Sequence, residues 1–155
     1  MQPVQELTVE TITNPKIVRM YDYWSSKCAG RMMPSRSDID ALELRDCLGN
    51  LCLIEVTDDT PRRFRFRIDG SNLASLTGFD MTGKFVDQMP EPGYRDFVTA
   101  LYERVVLTRE PVFLANHEEW EGYGIEVVSA TLPLSTYGFR VDGILDAVFP
   151  VRSLD

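Results

Sequence analysis

The strictest pattern in this chain is "RRFRFRID", residues 62–69, where Phe64, Phe66 and Ile68 alternate with Arg63, Arg65 and Arg67. A period of two places the apolar side chains on one face of a strand and the arginines on the other. Just before it, "LCLIEV" (Leu51–Val56) is apolar on both faces, as in a strand with neighbours above and below. "DDTP" supplies the turn between them, so the two runs read as a hairpin inside a larger sheet.

On the N-terminal side, residues 1–13 are polar with scattered apolar positions and read as a loose arm. Asn14-Pro15 starts a helix, because Asn is a good N-cap and Pro at the first helical position loses no needed hydrogen bond. Ile17, Met20, Tyr21, Trp24 and Cys28 recur at helical spacing, and Gly30 ends the run. Residues 31–39, with Pro34 and two serines, read as a loop. Asp40 then opens a second, short helix in a capping box with Glu43, burying Ala41, Leu44 and Leu48, with Gly49-Asn50 as its stop.

Beyond the hairpin come short helical pieces at 71–76, closed by Gly78, and at 84–88. A longer helix runs from Pro92 to about residue 107, with Tyr94, Phe97, Val98, Leu101 and Val105 on one face. Strand runs follow at 112–119, 125–134 and 143–151, separated by "EGYG" and "STYGFRVDG". Helices segregated between hairpins give an α+β domain on an antiparallel sheet.

The chain has 155 residues, 44% of them hydrophobic, which suits one domain with a real core. Acids outnumber bases 24 to 16, and a net charge of -8 opposes general binding to nucleic acid or anionic membrane. The arginine stripe on the second strand is therefore expected to meet acids. Cys28, Cys47 and Cys52 form no framework, no CxxC is present, and no basic-then-apolar leader opens the chain. A reduced, cytoplasmic protein without a membrane span is the expectation. Cys28 and Cys47 end neighbouring elements, which leaves a regulatory disulfide open.

The stretch "IDGSNLASLTGFDMTGKFVDQM", together with the element order, resembles a PAS domain. The residues that carry the likeness are Asn72 leading a short helix, Leu76-Thr77-Gly78-Phe79 at its end, and the Gly83-Lys84 turn. Gly78 and Gly83 suit positions of positive φ. The upstream "YWSSKCAGRMMPSRSDIDALELRDCLGNLCLIEV" is similar to a group of small proteobacterial PAS-like proteins. The resemblance implies a five-stranded antiparallel sheet with short helices and one longer helix on one face, preceded by N-terminal helices. It divides the chain into a helical segment, 1–46, and a PAS-like domain, 47–155. It also implies a sensory or regulatory role, without naming a cofactor.

Phe66, Ile68, Phe79, Phe85, Met89, Phe97 and Leu101 are the candidates to line a cavity for a small apolar ligand, with packed core as the rival reading. Tyr21, Tyr23 and Trp24 give the first helix more aromatic surface than one face needs, and PAS domains often dimerise through such a helix. Arg31 and Arg36 are expected to pin the connector, residues 28–48, to the core or to a second subunit through acids. "GKFVDQM" carries no cysteine where light-driven flavin adducts of the family place one, and the long helix carries no histidine for haem. His117 and Glu118-Glu119 read as polar strand-end residues. No catalytic set and no metal cluster is present in the sequence. The resulting expectation is a stand-alone PAS-type module, not an enzyme, acting as a homodimer on an unidentified signalling protein, with no attached output domain. The alternative is a small enzyme doing acid–base work on an apolar substrate, which needs a carboxylate or histidine inside the cavity.

Overall fold

The computed structural model describes residues 4–120 and 123–151, with the side chains of 118–120 and 123 left aside. Glu121 and Gly122 of the expected turn, and the side chains of Glu118 and Glu119, thus lie outside the described residues. The strands are β1 (Gln5–Leu7), β2 (Leu51–Val56), β3 (Phe64–Asp69), β4 (Val112–Trp120), β5 (Tyr123–Leu134) and β6 (Gly143–Pro150). They form one antiparallel sheet in the order β1-β4-β5-β6-β2-β3. The helices are α1 (Pro15–Cys28), α2 (Ser71–Thr77) and α3 (Pro92–Thr108).

The expected five strands become six because the N-terminal arm is not loose. Gln5 to Leu7 add to the free edge of β4, pairing Gln5 with Ala115 and Leu7 with Phe113. Three residues are too few for periodicity to announce a strand, and main-chain pairing to an open edge decides it. Arg104 of α3 holds Glu6 in an ion pair.

Helix α1 begins as the sequence requires: Asn14 Oδ1 accepts from the backbone of Lys16 at 3.0 Å and Ile17 at 3.4 Å. Ile17, Met20 and Trp24 are buried. The second N-terminal helix does not form. Residues 41–47 are a run of turns, with Glu43 N donating to Asp40 O at 3.1 Å and Cys47 N to Leu44 O at 2.9 Å. Asp40 Oδ1 accepts from Leu42 N, at 2.9 Å, and among the described residues not from Glu43 N. Glu43 cannot reach back, because Tyr23 and Lys27 of α1 take its carboxylate at 3.0 and 2.8 Å. The capping box sits earlier: Ser35 Oγ accepts from Ser37 N, and Asp38 accepts from Ser35 N at 2.8 Å, around a short 3-10 turn.

The sheet is covered on both sides. On the inner face lie α2, α3 and a 3-10 turn at Val86–Gln88; Phe64 meets the Tyr102 ring of α3 edge-on at 5.5 Å. On the outer face lie α1 and the connector: the Trp24 indole N–H donates to Pro133 O at 2.8 Å, and Tyr21 meets Phe113 edge-on at 5.6 Å. Burial on both faces explains why β5 is buried without a break from Val127 to Leu134.

Strand β3 departs from simple alternation. Ile54 pairs with Phe66 but Leu53 pairs with Ile68, so one extra residue, Arg67, bulges out. The bulge turns Ile68 to the outer face while Phe64 and Phe66 point inward. The expectation of three apolar residues on one face is therefore corrected to two. Past β3 the chain crosses itself closely: a Cβ on Gly70 would lie 2.3 Å from the Gly49 carbonyl oxygen. Only glycine permits that approach. Gly78 and Gly83 have φ of +86° and +83°, the left-handed region in which glycine meets no Cβ penalty.

Candidate functional site

The inner face holds a cavity of about 40 Å³ between the sheet and α2 and α3. Its apolar walls include Phe66, Phe79 and Met89 from the expected set. The other expected residues are placed differently. Phe97 stacks on Tyr94, a wall residue, with centroids 6.5 Å apart, and Leu101 packs against the core behind the wall. Ile68 is on the opposite side of the sheet and 52% exposed. Phe85 is a platform rather than a wall: the Arg63 guanidinium lies 3.6 Å from its ring centroid while binding Asp87 through two hydrogen bonds of 2.7 and 2.9 Å. The bridge that pairs Phe85 with Arg65 on the edge of β3 holds the ring there.

The cavity contains what the apolar reading missed. Asp146 of β6 is buried, and both carboxylate oxygens are engaged: Tyr102 donates to Oδ2 at 2.7 Å and Thr131 to Oδ1 at 3.0 Å. Beside it, Cys52 donates its thiol to Asp69 Oδ1 at 3.3 Å, and Met81 N donates to Asp69 Oδ2 at 3.0 Å. Strand register builds the group, since Cys52 pairs with Asp69 on one side and Asp146 on the other. The signal in the sequence was an acid inside an otherwise apolar run, "GILDAVF".

Burial raises the Asp146 carboxyl from 3.8 to about 6, although the Tyr102 and Thr131 hydrogen bonds favour the ionised form. Burial also raises Asp69, against the bonds from Met81 and Cys52. The Tyr102 phenol and the Cys52 thiol are pushed well up, by burial first and then by the neighbouring aspartates. Among the described residues no lysine, arginine or histidine lines the cavity. The arrangement offers acceptors and an acid near neutrality to a donor or cationic group.

A sequence model described as a PAS domain matches residues 12–141. The chain belongs to the PAS domain family. The match takes in α1 and the connector together with strands β2 to β5. No curated protein sequence matches the chain. Among solved structures, a fungal LOV-domain photoreceptor has a TM-score of 0.45 and 15% identity, with 76% of this chain and 95% of that one covered. An RNA-binding light-oxygen-voltage receptor has a TM-score of 0.49 and 10% identity, covering 97% of this chain and 39% of the other.

In this PAS domain, Asn72 serves the backbone crossing rather than the cavity, donating to Asn50 Oδ1 at 2.8 Å. A cavity of about 40 Å³ does not admit the ring system of a flavin or a haem. Among the described residues no group of His, Cys, Asp and Glu is arranged to hold a metal, and His117 lies 2.8 Å from Glu126 on β5. The residues expected at a dimer or partner surface are largely spent on this chain. Trp24 is buried, Tyr21 packs on Phe113, and Tyr23 ties α1 to the connector through Glu43 and the Asp40 N–H. Arg31 caps the end of α1, donating to the Cys28 and Lys27 carbonyls and to Asp38 at 2.7 Å. Arg36 stays exposed at the rim of an outer groove.

The arginine stripe is mostly paired: Arg63 with Asp87, Arg67 with Glu55 at 3.6 Å. Cys47 lies 3.9 Å from Met20 Sδ, and Cys28 sits eight residues further along α1. Both thiols are free. No described helix is long and apolar enough to cross a membrane.

Proposed function

We propose that the chain is a PAS-type sensory module whose inner cavity takes the signal and whose output is contact with a signalling protein, in the cytoplasm and as a homodimer, without catalysis. The observation that carries this reading is the Asp146–Tyr102–Thr131 network beside Cys52–Asp69. A core that only had to pack would gain stability from apolar residues at those positions. Holding a carboxyl near 6 in the interior instead makes the fold responsive to what sits beside it.

The cavity volume selects the ligand. About 40 Å³ holds a group the size of one or two waters, well below the roughly 300–1,000 Å³ of pockets for drug-sized molecules. The signal is therefore a compact donor or cationic group, such as the head of a small amine, and a larger body enters only if Leu76, Thr77 and Phe79 at the end of α2 move outward. That movement is the switch: a ligand that favours the open mouth shifts the balance between two shapes of α2. A dimer or partner on the outer side meets α1 and the connector, since these cover the strands there.

Asp146 also supports the second reading, a small acid–base enzyme, because its carboxyl titrates near 6 inside the cavity. Native mass spectrometry of freshly purified protein, with an absorption spectrum, separates these readings. The sensor reading expects a dimer carrying a small bound mass that Asp146→Asn loses. A bare monomer that binds no small amine refutes it. Turnover of an added substrate that disappears in Asp146→Asn assigns the cavity to the enzyme reading.

A further inference from the structure

The outer face carries a second concavity that the cavity does not explain. It measures about 330 Å³ and lies between the connector and the β2–β3 edge. Its floor is Leu51, Leu53, Ile68 and Leu145, and its wall includes Leu44 and Leu48. Ile68 is 52% exposed and Leu48 40% exposed, so the groove is open to solvent. It exists because the bulge in β3 turns Ile68 outward, and because residues 41–47 fold as turns rather than as a helix.

Among the described residues the lining contains no acid and one cation, Arg36. Arg36 also borders a polar groove with Glu55, Asp58 and Asp142, but those acids are engaged elsewhere. Glu55 pairs with Arg67, Asp58 with Arg140, and Asp142 accepts from the Thr136 N–H at 3.1 Å through either oxygen. Among the described residues Arg36 has no ion pair, in a chain where acids outnumber bases 24 to 16. An apolar trough with an unpaired guanidinium at its mouth is complementary to an apolar tail ending in an anion. A planar guanidinium binds a carboxylate through two parallel hydrogen bonds.

We propose that this groove is a binding site for a medium-chain carboxylate, with the alkyl chain on Leu53, Ile68 and Leu145 and the carboxylate on Arg36. The volume sets the length: at roughly 30 Å³ per water-sized group, the groove takes a chain of roughly ten heavy atoms. A cationic amphiphile of the same length is repelled by Arg36, and a neutral alcohol gains the apolar contact but not the ion pair.

The test is an amide NMR titration of the full chain with decanoate, decanol and decylamine, each below its micellar range. Decanoate is expected to shift Leu48 and Ile68 signals and to bind about tenfold more tightly than decanol, with decylamine weakest. Arg36→Gln is expected to bring decanoate down to the affinity of decanol and leave decanol unchanged. Ile68→Glu, at an exposed position, removes both. The proposal is overturned if decanoate does not bind, or binds no better than decanol. It is equally overturned if the shifts fall on Phe79 and Tyr94 of the inner cavity. A dimer in sedimentation that Ile68→Glu dissociates gives the groove to a second copy instead.

Discussion

The two faces of the sheet solve opposite problems with alternate residues of the same strands. On β2 and β6, Cys52, Ile54, Ile144 and Asp146 point inward, while Leu51, Leu53, Leu145 and Ala147 point outward. The inner face holds two carboxylates, Asp146 buried and Asp69 half-buried, with no cation among the described residues that line the cavity. The outer face is apolar, carries a cation at its rim, and stays open at the β3 edge. A polar network that costs stability on the cavity side, against an apolar outer surface with one cation at its rim, gives the two faces different chemistry, and the proposed sensing rests on the inner one.

The largest expected effect breaks the outer cover. Trp24→Ala deletes a buried aromatic and strands the Pro133 carbonyl. It should cost about 3–5 kcal/mol in denaturant unfolding; a loss under about 1 kcal/mol would mean that α1 is not seated on the sheet.

Next comes the inner acid. A folded-state carboxyl near 6, against 3.8 unfolded, means that the folded protein binds the proton more tightly. This contribution to stability is complete below about pH 4 and is lost as pH rises through about 6. The gap is worth about 3 kcal/mol. Wild type should therefore weaken between pH 4 and 7, and Asp146→Asn should be the more stable protein at pH 8 and lose most of that slope. A parallel pair of stability curves would remove the buried acid from the account.

Tyr102→Phe sharpens the same point: it takes one donor from Asp146 and should cost about 1–2 kcal/mol at pH 8 and less at pH 4. Arg31→Ala breaks a partly exposed pair with Asp38 and a helix end, for under about 1 kcal/mol. Arg36→Ala should leave the melting temperature unchanged, because nothing in the described residues holds it. A drop as large as that of Arg31→Ala would reveal a partner for Arg36 within the chain.

Much of this was legible in the sequence. The hairpin, the capped α1 and the run of helices before the last strands follow from periodicity and caps, which act locally. The β1 pairing, the bulge and the failed second helix did not, because each is decided by a distant element. Glu43 is captured by Tyr23 and Lys27, Gln5 by the edge of β4, and Ile68 by the register against Leu53. The site divides in the same way. Phe66, Phe79 and Met89 could be placed from pattern, while Phe85 was drawn outward by Arg63. Asp146 and Asp69 became neighbours of one thiol only through the pairing of three strands.

The most direct test of the inner site is the titration of the Asp146 side-chain carboxyl by carbon NMR. A midpoint near 6 is predicted, moving further up in Tyr102→Phe as a stabilising donor is lost. A midpoint at or below about 4, the range of an exposed aspartate, would show a solvated acid and contradict the reading of the inner face as a buried, signal-responsive site.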